Sequence, residues 1–248
     1  MADGRTLLNL GCGPRANPNW NNIDFSWYAR LRRYPRLVAL LRSFGLLSPE
    51  RYAYFLGFPD NVIVWNLRKG IPFNDDSFDT VYSSHFLEHM DRAAVESFLV
   101  ECQHVLKPGG VLRIVVPDLE VIIRTYIDTL QALERGDLSM QTLHQQAIEA
   151  LLGQIVLREA SATAKQRPLV RWLENRFLGD AQTRGETHRW MYDWYSLKAV
   201  LERSGFINVA RLDPNTSKIP MWEDSNLDVN CDGTIYKSGS LYVEGEKG

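Results

Sequence analysis

The sequence predicts an α/β protein with a mostly parallel sheet. Two patterns indicate this: short apolar runs alternate with helical segments, and the first run ends at a glycine turn. Continuous apolar runs that alternate with helices are typical of parallel strands covered on both faces. At 248 residues, the chain is long enough to bury the core of one large domain. We therefore expect a single domain, 1–248, with a helical insertion at 119–187 after the fifth strand.

The predicted elements follow from local apolar patterns. Strands are predicted at 8–10, 22–25, 62–66, 79–83, 111–116, 207–212 and 240–245. Helices are predicted at 93–106, 119–133, 143–157, 169–177 and 195–204. Lys107-Pro108-Gly109-Gly110 follows the first of these helices and combines a helix-ending proline with glycines, which predicts a chain reversal before the fifth strand.

The first strand ends at Gly11-Cys12-Gly13, where two glycines stand one residue apart. Without Cβ atoms, their backbone N–H groups can approach a ligand closely. Only thirteen positions separate Gly11 from Asp24, and Pro14 and Pro18 lie between them. A first helix there must be very short or absent.

Four motifs together resemble the class I S-adenosylmethionine-dependent methyltransferases, and the later segment His188-x-Trp190-x-Tyr192 resembles those associated with sugar and polysaccharide modification. The four motifs are Asn9-Leu10-Gly11-Cys12-Gly13, then Asp24, then Pro72-Phe73 with Ser77-Phe78-Asp79-Thr80-Val81, and Leu106-Lys107-Pro108-Gly109-Gly110. The resemblance covers 6–118 well and 188–212 moderately. It implies a Rossmann-like sheet with an antiparallel last strand and S-adenosylmethionine as cofactor.

The resemblance also implies which residues bind that cofactor. The glycine turn would pack against its methionine part, Asp24 would accept hydrogen bonds from the ribose hydroxyls, and Asn66-Leu67 would recognise the adenine edge. The full set is Asn9, Gly11, Cys12, Gly13, Asp24, Asn66, Leu67, Ser83 and Ser84. Asn9 and Asn66 stand where acidic residues are commoner in the family, which leaves open a binding module without catalytic activity.

A nicotinamide-dependent oxidoreductase is a further alternative, because Gly11-x-Gly13-x-x-Ala16 formally fits the dinucleotide fingerprint. That fingerprint needs a helix that opens at the glycines and an acid about 20 residues onward. Pro14 and Pro18 oppose the helix, and Asp24 comes too early.

Three residues are candidates for the general base that would deprotonate an acceptor. His85 follows the fourth strand, and His188 lies in the aromatic-rich segment 187–195. Asp118 directly follows the fifth strand. A positioned base typically contributes about 10²–10⁴-fold to a rate. The alternative for His188 is that its segment only packs the insertion against the sheet.

The segment His85-Phe86-Leu87-Glu88-His89 also matches the H-x-x-E-H signature of inverted zinc proteases. A zinc site needs a further ligand and a strand–helix context that this region does not supply. We therefore predict no metal.

Residues 25–58 form a basic and aromatic segment with the character of a lid. Within 25–49, five arginines lie among apolar and aromatic residues without an acid. One interpretation is a lid whose arginines reach water. The other is contact with a membrane surface or with an anionic substrate such as a lipid-linked phosphate.

Composition limits which partners and which cellular location the protein can have. A net charge of −2, with no basic stripe beyond residue 42, argues against nucleic acid. The three scattered cysteines indicate no disulfide framework, and no apolar run is long enough to span a bilayer. We expect a cytoplasmic protein, peripheral to the inner membrane face if 25–49 binds lipid. It would O-methylate a glycan, glycolipid or small-molecule acceptor; the sequence leaves its oligomeric state open.

Overall fold

A seven-stranded sheet forms the centre of the computed structural model, which describes residues 4–45, 47–154 and 188–248. The strands are β1 Leu7–Leu10, β2 Asn21–Asp24, β3 Val62–Val64, β4 Phe78–Ser84, β5 Leu106–Pro117, β6 Phe206–Leu212 and β7 Ser240–Lys247. Their order is β3-β2-β1-β4-β5-β7-β6. The first five run parallel, and β7 is antiparallel to both of its neighbours. The predicted Rossmann-like sheet with an antiparallel last strand is confirmed.

Helices connect and cover the strands. They are α1 Trp27–Leu31, α2 Pro35–Ser43, α3 Pro49–Leu56, α4 Arg92–Val105, α5 Leu119–Glu134, α6 Gln141–Gln154 and α7 Trp194–Arg203. No helix lies between β1 and β2, as the proline-rich connection predicted. This absence removes the helix that the dinucleotide-binding alternative requires at the glycine turn.

The junction of α4 and β5 differs from the predicted reversal. The helix ends at Val105 and β5 begins at Leu106 without a separate loop. Leu106 pairs with Phe78 and Val111 pairs with Thr80, so the residues 107–110 bulge out opposite one residue of β4. Gly109 permits this bulge with a φ of +74°. The glycines therefore form a bulge inside the strand instead of a reversal before it.

The main core lies between the sheet and the helices α4 and α7. The strand residues Leu8, Val81 and Leu112 are fully buried, as are Leu99 of α4 and Leu197 of α7. Because the central strands are covered on both faces, they read as continuous apolar runs. Burial of this apolar surface holds the strand ends that carry the candidate site in fixed positions.

The chain leaves the sheet after β5 into α5 and α6, at the start of the predicted insertion. The end of the predicted helix 143–157 and all of 169–177 lie outside the described residues. Among the helices that the structure describes, none combines the length and apolar character needed to cross a bilayer.

Candidate active site

A cavity of about 500 Å³ opens where β1, β2 and β4 end. Open α/β sheets bind ligands at the carboxyl ends of their strands, so this is the expected place for a site. Eight of the nine predicted cofactor residues line it: Asn9, Gly11, Cys12, Gly13, Asp24, Asn66, Leu67 and Ser84. His85 lines it too. The cavity thus brings the cofactor candidates together with one of the three base candidates.

The glycine turn is bonded directly to Asp24. The backbone N–H of Gly13 donates to Oδ2 of Asp24 at 2.9 Å, and the N–H of Ser26 donates to Oδ1 at 2.6 Å. Gly11 has a φ of +67°, and a Cβ atom there would lie 2.6 Å from the ring of Phe86. Only glycine meets both the conformational and the steric demand at this position.

Asn9 presents a buried acceptor at the wall of the cavity. Its Nδ2 donates to the carbonyl of Arg15 at 3.0 Å and to Oδ1 of Asn22 at 3.2 Å, which fixes the amide. Its own Oδ1 has no donor among the described residues, although the side chain is only 1% exposed. A buried acceptor without a partner costs free energy that a donating ligand would recover.

The two neighbouring serines, Ser83 and Ser84, have different surroundings in the structure. The hydroxyl of Ser83 donates to the carbonyl of Leu10 at 3.0 Å, beneath the sheet edge, and Ser83 does not line the cavity. Successive residues of a strand point to opposite faces, so only Ser84 reaches the cavity. Our prediction for Ser83 is replaced by a structural role that ties β4 to β1.

His85 and Glu88 are in contact beside the cavity. His85 has a φ of +49°, and its Nδ1 lies 3.3 Å from Oε1 of Glu88. Its Nε2 lies 2.9 Å from the hydroxyl of Ser240. Burial raises the pKa of Glu88, but the contact with His85 and the charge of His89 outweigh this and lower it. Glu88 is therefore ionised at neutral pH.

His188 does not line the cavity, but it packs beside this pair. Its ring is 4.9 Å from the ring of His89, measured between centroids. The backbone N–H groups of Arg189 and Trp190 both donate to the carbonyl of Glu88. The late aromatic segment is therefore part of the wall behind His85.

Asp118 lies away from the cavity and is fully buried. Its Oδ1 accepts the N–H of Glu120 at 2.9 Å and caps α5, and its Oδ2 pairs with Arg211 at 2.8 Å. Both oxygens therefore have structural partners, and Asp118 is not among the described residues that line the cavity. This placement removes Asp118 from the base candidates.

Several cavity residues carried no motif in the sequence. Tyr236 and Lys237 come from the loop before β7, and Arg15 stacks over Tyr236 at 4.1 Å. Arg30 and Arg68 also line the cavity. Burial lowers the pKa of Lys237, although Glu88 acts in the opposite sense. Arg30 belongs to the basic segment 25–49 that the sequence indicated. No local pattern marks Arg15, Tyr236 and Lys237, because tertiary packing brings them to the strand ends.

The cavity thiol is not a nucleophile. Burial and the neighbouring Asp24 carboxylate raise the pKa of Cys12 far above its usual value. The thiol therefore stays protonated and acts as a small apolar group in the turn.

The fold and the cavity define an α/β protein with a class I methyltransferase sheet. In sequence, residues 27–114 match a family described as "Methyltransferase domain". The matched region contains Asn66, Leu67, Ser84 and His85, and it begins after the glycine turn and Asp24. No curated protein matches the chain.

Solved structures similar to this chain include three SAM-dependent methyltransferases. The one from Archaeoglobus fulgidus has a TM-score of 0.39 and 16% identity over 99% of this chain and 87% of its own. The one from Thermotoga maritima has a TM-score of 0.41 and 14% identity, over 98% and 83%. The one from Aquifex aeolicus has a TM-score of 0.41 and 14% identity, over 99% and 83%. Likenesses this distant carry no functional argument.

The domain match indicates S-adenosylmethionine as the cofactor. The cavity fits that molecule at two points. The buried Oδ1 of Asn9 offers an acceptor for an ammonium group, and each oxygen of Asp24 has a second lone pair for a hydroxyl.

Proposed function

We propose that this protein is an S-adenosylmethionine-dependent methyltransferase that O-methylates a sugar in a glycolipid, polysaccharide or related acceptor. One observation supports it above the others: cofactor-binding groups and a histidine paired with a carboxylate share a single cavity at the strand ends. Binding and proton transfer can therefore take place side by side.

The cofactor-binding half of the proposal uses residues already fixed by the fold. Asp24 would accept hydrogen bonds from the ribose hydroxyls, and Asn9 Oδ1 would accept one from the amino group of the methionine part. Asn66 with Leu67 would recognise the adenine. When bound, the cofactor supplies a methyl group on a positively charged sulfur. Positioning of the reactants can provide about 7–11 kcal/mol of the barrier in favourable cases.

His85 is the proposed base. With its Nδ1–H directed at Glu88, the lone pair on Nε2 accepts the hydroxyl proton of Ser240. The same hydroxyl has a second acceptor, the carbonyl of Lys237, at 3.0 Å. Ser240 can turn to that carbonyl, which leaves Nε2 to take the proton of an acceptor hydroxyl. Glu88 then stabilises the imidazolium, as a carboxylate does in a catalytic triad.

The charge of the cavity supports an anionic acceptor. Among the residues that the structure describes, four cationic side chains line it, Arg15, Arg30, Arg68 and Lys237, against the carboxylates of Asp24 and Asp91. The whole chain carries a net charge of −2, so this excess is local. Trp27, Tyr54 and Tyr236 add aromatic surface. Guanidinium groups bind phosphate and carboxylate groups, which are common on glycan precursors.

The test begins with calorimetric titration of the purified protein with S-adenosylmethionine, S-adenosylhomocysteine and NADH. We expect micromolar binding of both adenosyl ligands and none of NADH. Binding of NADH alone overturns the proposal. A panel of sugar phosphates, uronic acids and neutral sugars then tests the acceptor through release of S-adenosylhomocysteine, with the anionic sugars expected to react faster.

The alternative is a binding module that holds the cofactor without turnover. Asn9 and Asn66, which replace the acids commoner in the family, favour it. The His85→Ala variant separates the two functions, because we expect it to keep cofactor binding and to lose turnover by about 10²–10⁴-fold. Unchanged turnover in this variant would exclude His85 as the base and leave His188 as the remaining candidate.

A further inference from the structure

Glu88, His89 and His188 form a cluster of metal-ligating side chains behind the cavity. One oxygen or nitrogen atom from each lies within 4.8 Å of the other two. Glu88 and His89 belong to the turn after β4, whereas His188 lies about a hundred positions later in the chain. The sequence showed the H-x-x-E-H spacing but no further ligand. The fold supplies one, because it places His188 beside Glu88 and His89.

The Glu88 carboxylate needs a positive partner. It is 1% exposed, and neither oxygen has a hydrogen-bond partner of good geometry among the described residues. The nearest imidazole nitrogens, those of His85 and His89, lie 3.3 Å and 3.9 Å from Oε1. These two contacts are long and involve only Oε1, so the buried carboxylate is incompletely satisfied and retains lone pairs that a cation can use.

The backbone holds the cluster in place. The carbonyl of Glu88 accepts the N–H of Arg189 at 2.7 Å and that of Trp190 at 3.2 Å. The side chain of Arg189 pairs with Asp91, and the ring of Trp190 lies under the guanidinium of Arg92 at 4.2 Å. These contacts fix the segment that carries His188 against the turn that carries Glu88 and His89, so the ligands are positioned before any ion binds.

We propose that Glu88, His89 and His188 bind a divalent cation of the zinc type. Two imidazoles and one carboxylate match the donors that Zn²⁺ uses at sites with an open fourth position. With bonds of about 2.0–2.2 Å, tetrahedral ligand atoms lie roughly 3.3 Å apart. The two ligand atoms that lie farthest apart in the cluster must therefore approach each other by up to about 1.5 Å when the ion binds.

This site would serve the acceptor, an inference that rests on the proposed function. His89 lines the cavity, so the ion lies at the cavity wall. A hydroxyl or an anionic group of the acceptor would occupy the open position. The ion lowers the pKa of a bound hydroxyl and fixes its oxygen. A carboxylate has enough lone pairs for Glu88 to bind the ion and to accept the N–H of His85 together.

The experiment uses Co²⁺ as a spectroscopic probe in the full-length protein after dialysis against EDTA. We expect one equivalent of Co²⁺ to give a visible absorption band that one equivalent of Zn²⁺ removes. Glu88→Gln and His188→Ala should weaken Co²⁺ binding by more than about 100-fold, since loss of an outer-shell partner alone costs 10–100-fold. The exposed His104 lies outside the cluster, so His104→Ala should bind as the wild type does.

Absence of the band in the wild-type protein overturns the proposal, as does wild-type Co²⁺ binding by both Glu88→Gln and His188→Ala. Far-UV circular dichroism checks that the variants are folded, and the wild-type titration decides the question if they are not. Calorimetry of the metal-free protein with S-adenosylhomocysteine tests the cofactor site separately. Intact cofactor binding without Co²⁺ binding would refute the metal site and leave the proposed function standing.

Discussion

At the scale of single residues, Asp24 links the glycine turn to the proposed ribose site. Two backbone N–H groups, from Gly13 and Ser26, fix its carboxylate and leave each oxygen one further lone pair. Ligand hydrogen bonds to a charged group contribute about 1.5–3 kcal/mol. We therefore expect Asp24→Ala to weaken S-adenosylhomocysteine binding by about 10–100-fold in calorimetry, and Asp24→Asn by less.

The control for Asp24 is Asp75→Ala, at an exposed position outside the cavity. It should bind the ligand as the wild type does. Affinity within about twofold of wild type in Asp24→Ala would move the ribose away from this carboxylate and contradict the proposed orientation of the cofactor.

The second prediction at this scale concerns Gly11. The cost of its backbone conformation and the cost of a clash with its surroundings can be measured separately. A left-handed conformation costs an L-residue about 1–2 kcal/mol. Gly45 has a similar φ of +70°, and a Cβ atom added there would meet open space, whereas at Gly11 it would meet Phe86. In denaturant unfolding, we expect Gly45→Ala to lose only the conformational part and Gly11→Ala to lose clearly more.

Equal losses in the two alanine variants would show that the ring of Phe86 moves aside freely. Gly11→Ala should also weaken cofactor binding, since Phe86 and the turn both line the cavity. Gly45→Ala should leave cofactor binding unchanged.

At the scale of elements, α7 begins at a complete capping box. Oδ1 of Asp193 accepts the backbone N–H of Ser196 at 2.8 Å, and the hydroxyl of Ser196 accepts the N–H of Asp193. Loss of such a cap costs about 1 kcal/mol. We expect Asp193→Ala to lose that amount near neutral pH, measured by urea unfolding.

The pH dependence of this cap follows from its direction of titration. Hydrogen bonds from the side chain and the backbone of Ser196 lower the pKa of Asp193 in the folded protein. The stabilising contribution is therefore complete above the unfolded pKa of about 3.9 and disappears as the pH falls through the folded pKa. Asp193→Asn, which keeps an acceptor but cannot ionise, should lose this pH dependence and retain most of the stability.

The helix α2 is the element on which the membrane interpretation of 25–49 depends. It buries Val38 in a small core with Trp27 and Phe55, while Leu37, Leu40 and the following Phe44 are exposed. The membrane interpretation predicts that the protein sediments with vesicles that contain anionic phospholipid, and less so at high salt; the lid interpretation predicts no sedimentation. Leu40→Asp with Phe44→Asp should reduce this partitioning at least about tenfold.

Leu138→Asp provides the matched control, because Leu138 is also exposed but lies after α5. It should sediment as the wild type does. Equal sedimentation of the double variant would leave 25–58 with the other predicted role, that of a lid over the cavity.

At the scale of the whole molecule, the sequence predicted the sheet because its information is local and repeated. Each apolar run, glycine turn and helix end follows from short-range physics, and Gly11 and Asp24 lie at predicted strand ends. Ser83 and Ser84 show the limit of this reasoning. Near the end of a strand buried on both faces, no polar alternation tells which of two neighbouring serines faces the cavity.

Groups that come together only through the fold were beyond local reasoning. Tyr236 and Lys237 reach the cavity from a polar loop, and His188 approaches His89 across nearly a hundred residues. For Asp118, local reasoning predicted a place in the cavity that the fold does not give it. Its position after β5 predicted a cavity residue, but a helix cap and the pairing with Arg211 use both of its oxygens.

The loop that brings Tyr236 and Lys237 to the cavity depends on a buried ion-pair network. The network lies on the face of the sheet opposite to α4 and α7. Arg113 of β5 is fully buried and pairs with Asp228 and with Glu244, each at 2.7 Å. Tyr82 donates to the same Asp228 at 2.6 Å. The carbonyl of Asp228 in turn accepts the N–H of Tyr236, so the network reaches the cavity wall in one step.

Removal of Arg113 should therefore affect both stability and the site. Arg113→Met leaves two buried carboxylates without their cation, for which losses of about 3–5 kcal/mol are typical. Arg203→Met, which breaks an exposed pair with Glu96, should cost at most about 1 kcal/mol. Urea unfolding measures the loss of stability in both variants.

Under conditions where Arg113→Met remains folded, its affinity for S-adenosylhomocysteine should also fall, because the Tyr236 loop loses the contact that holds it. Equal stability of the two variants would mean that the buried carboxylates become protonated at little cost and that the loop is held by its apolar contacts.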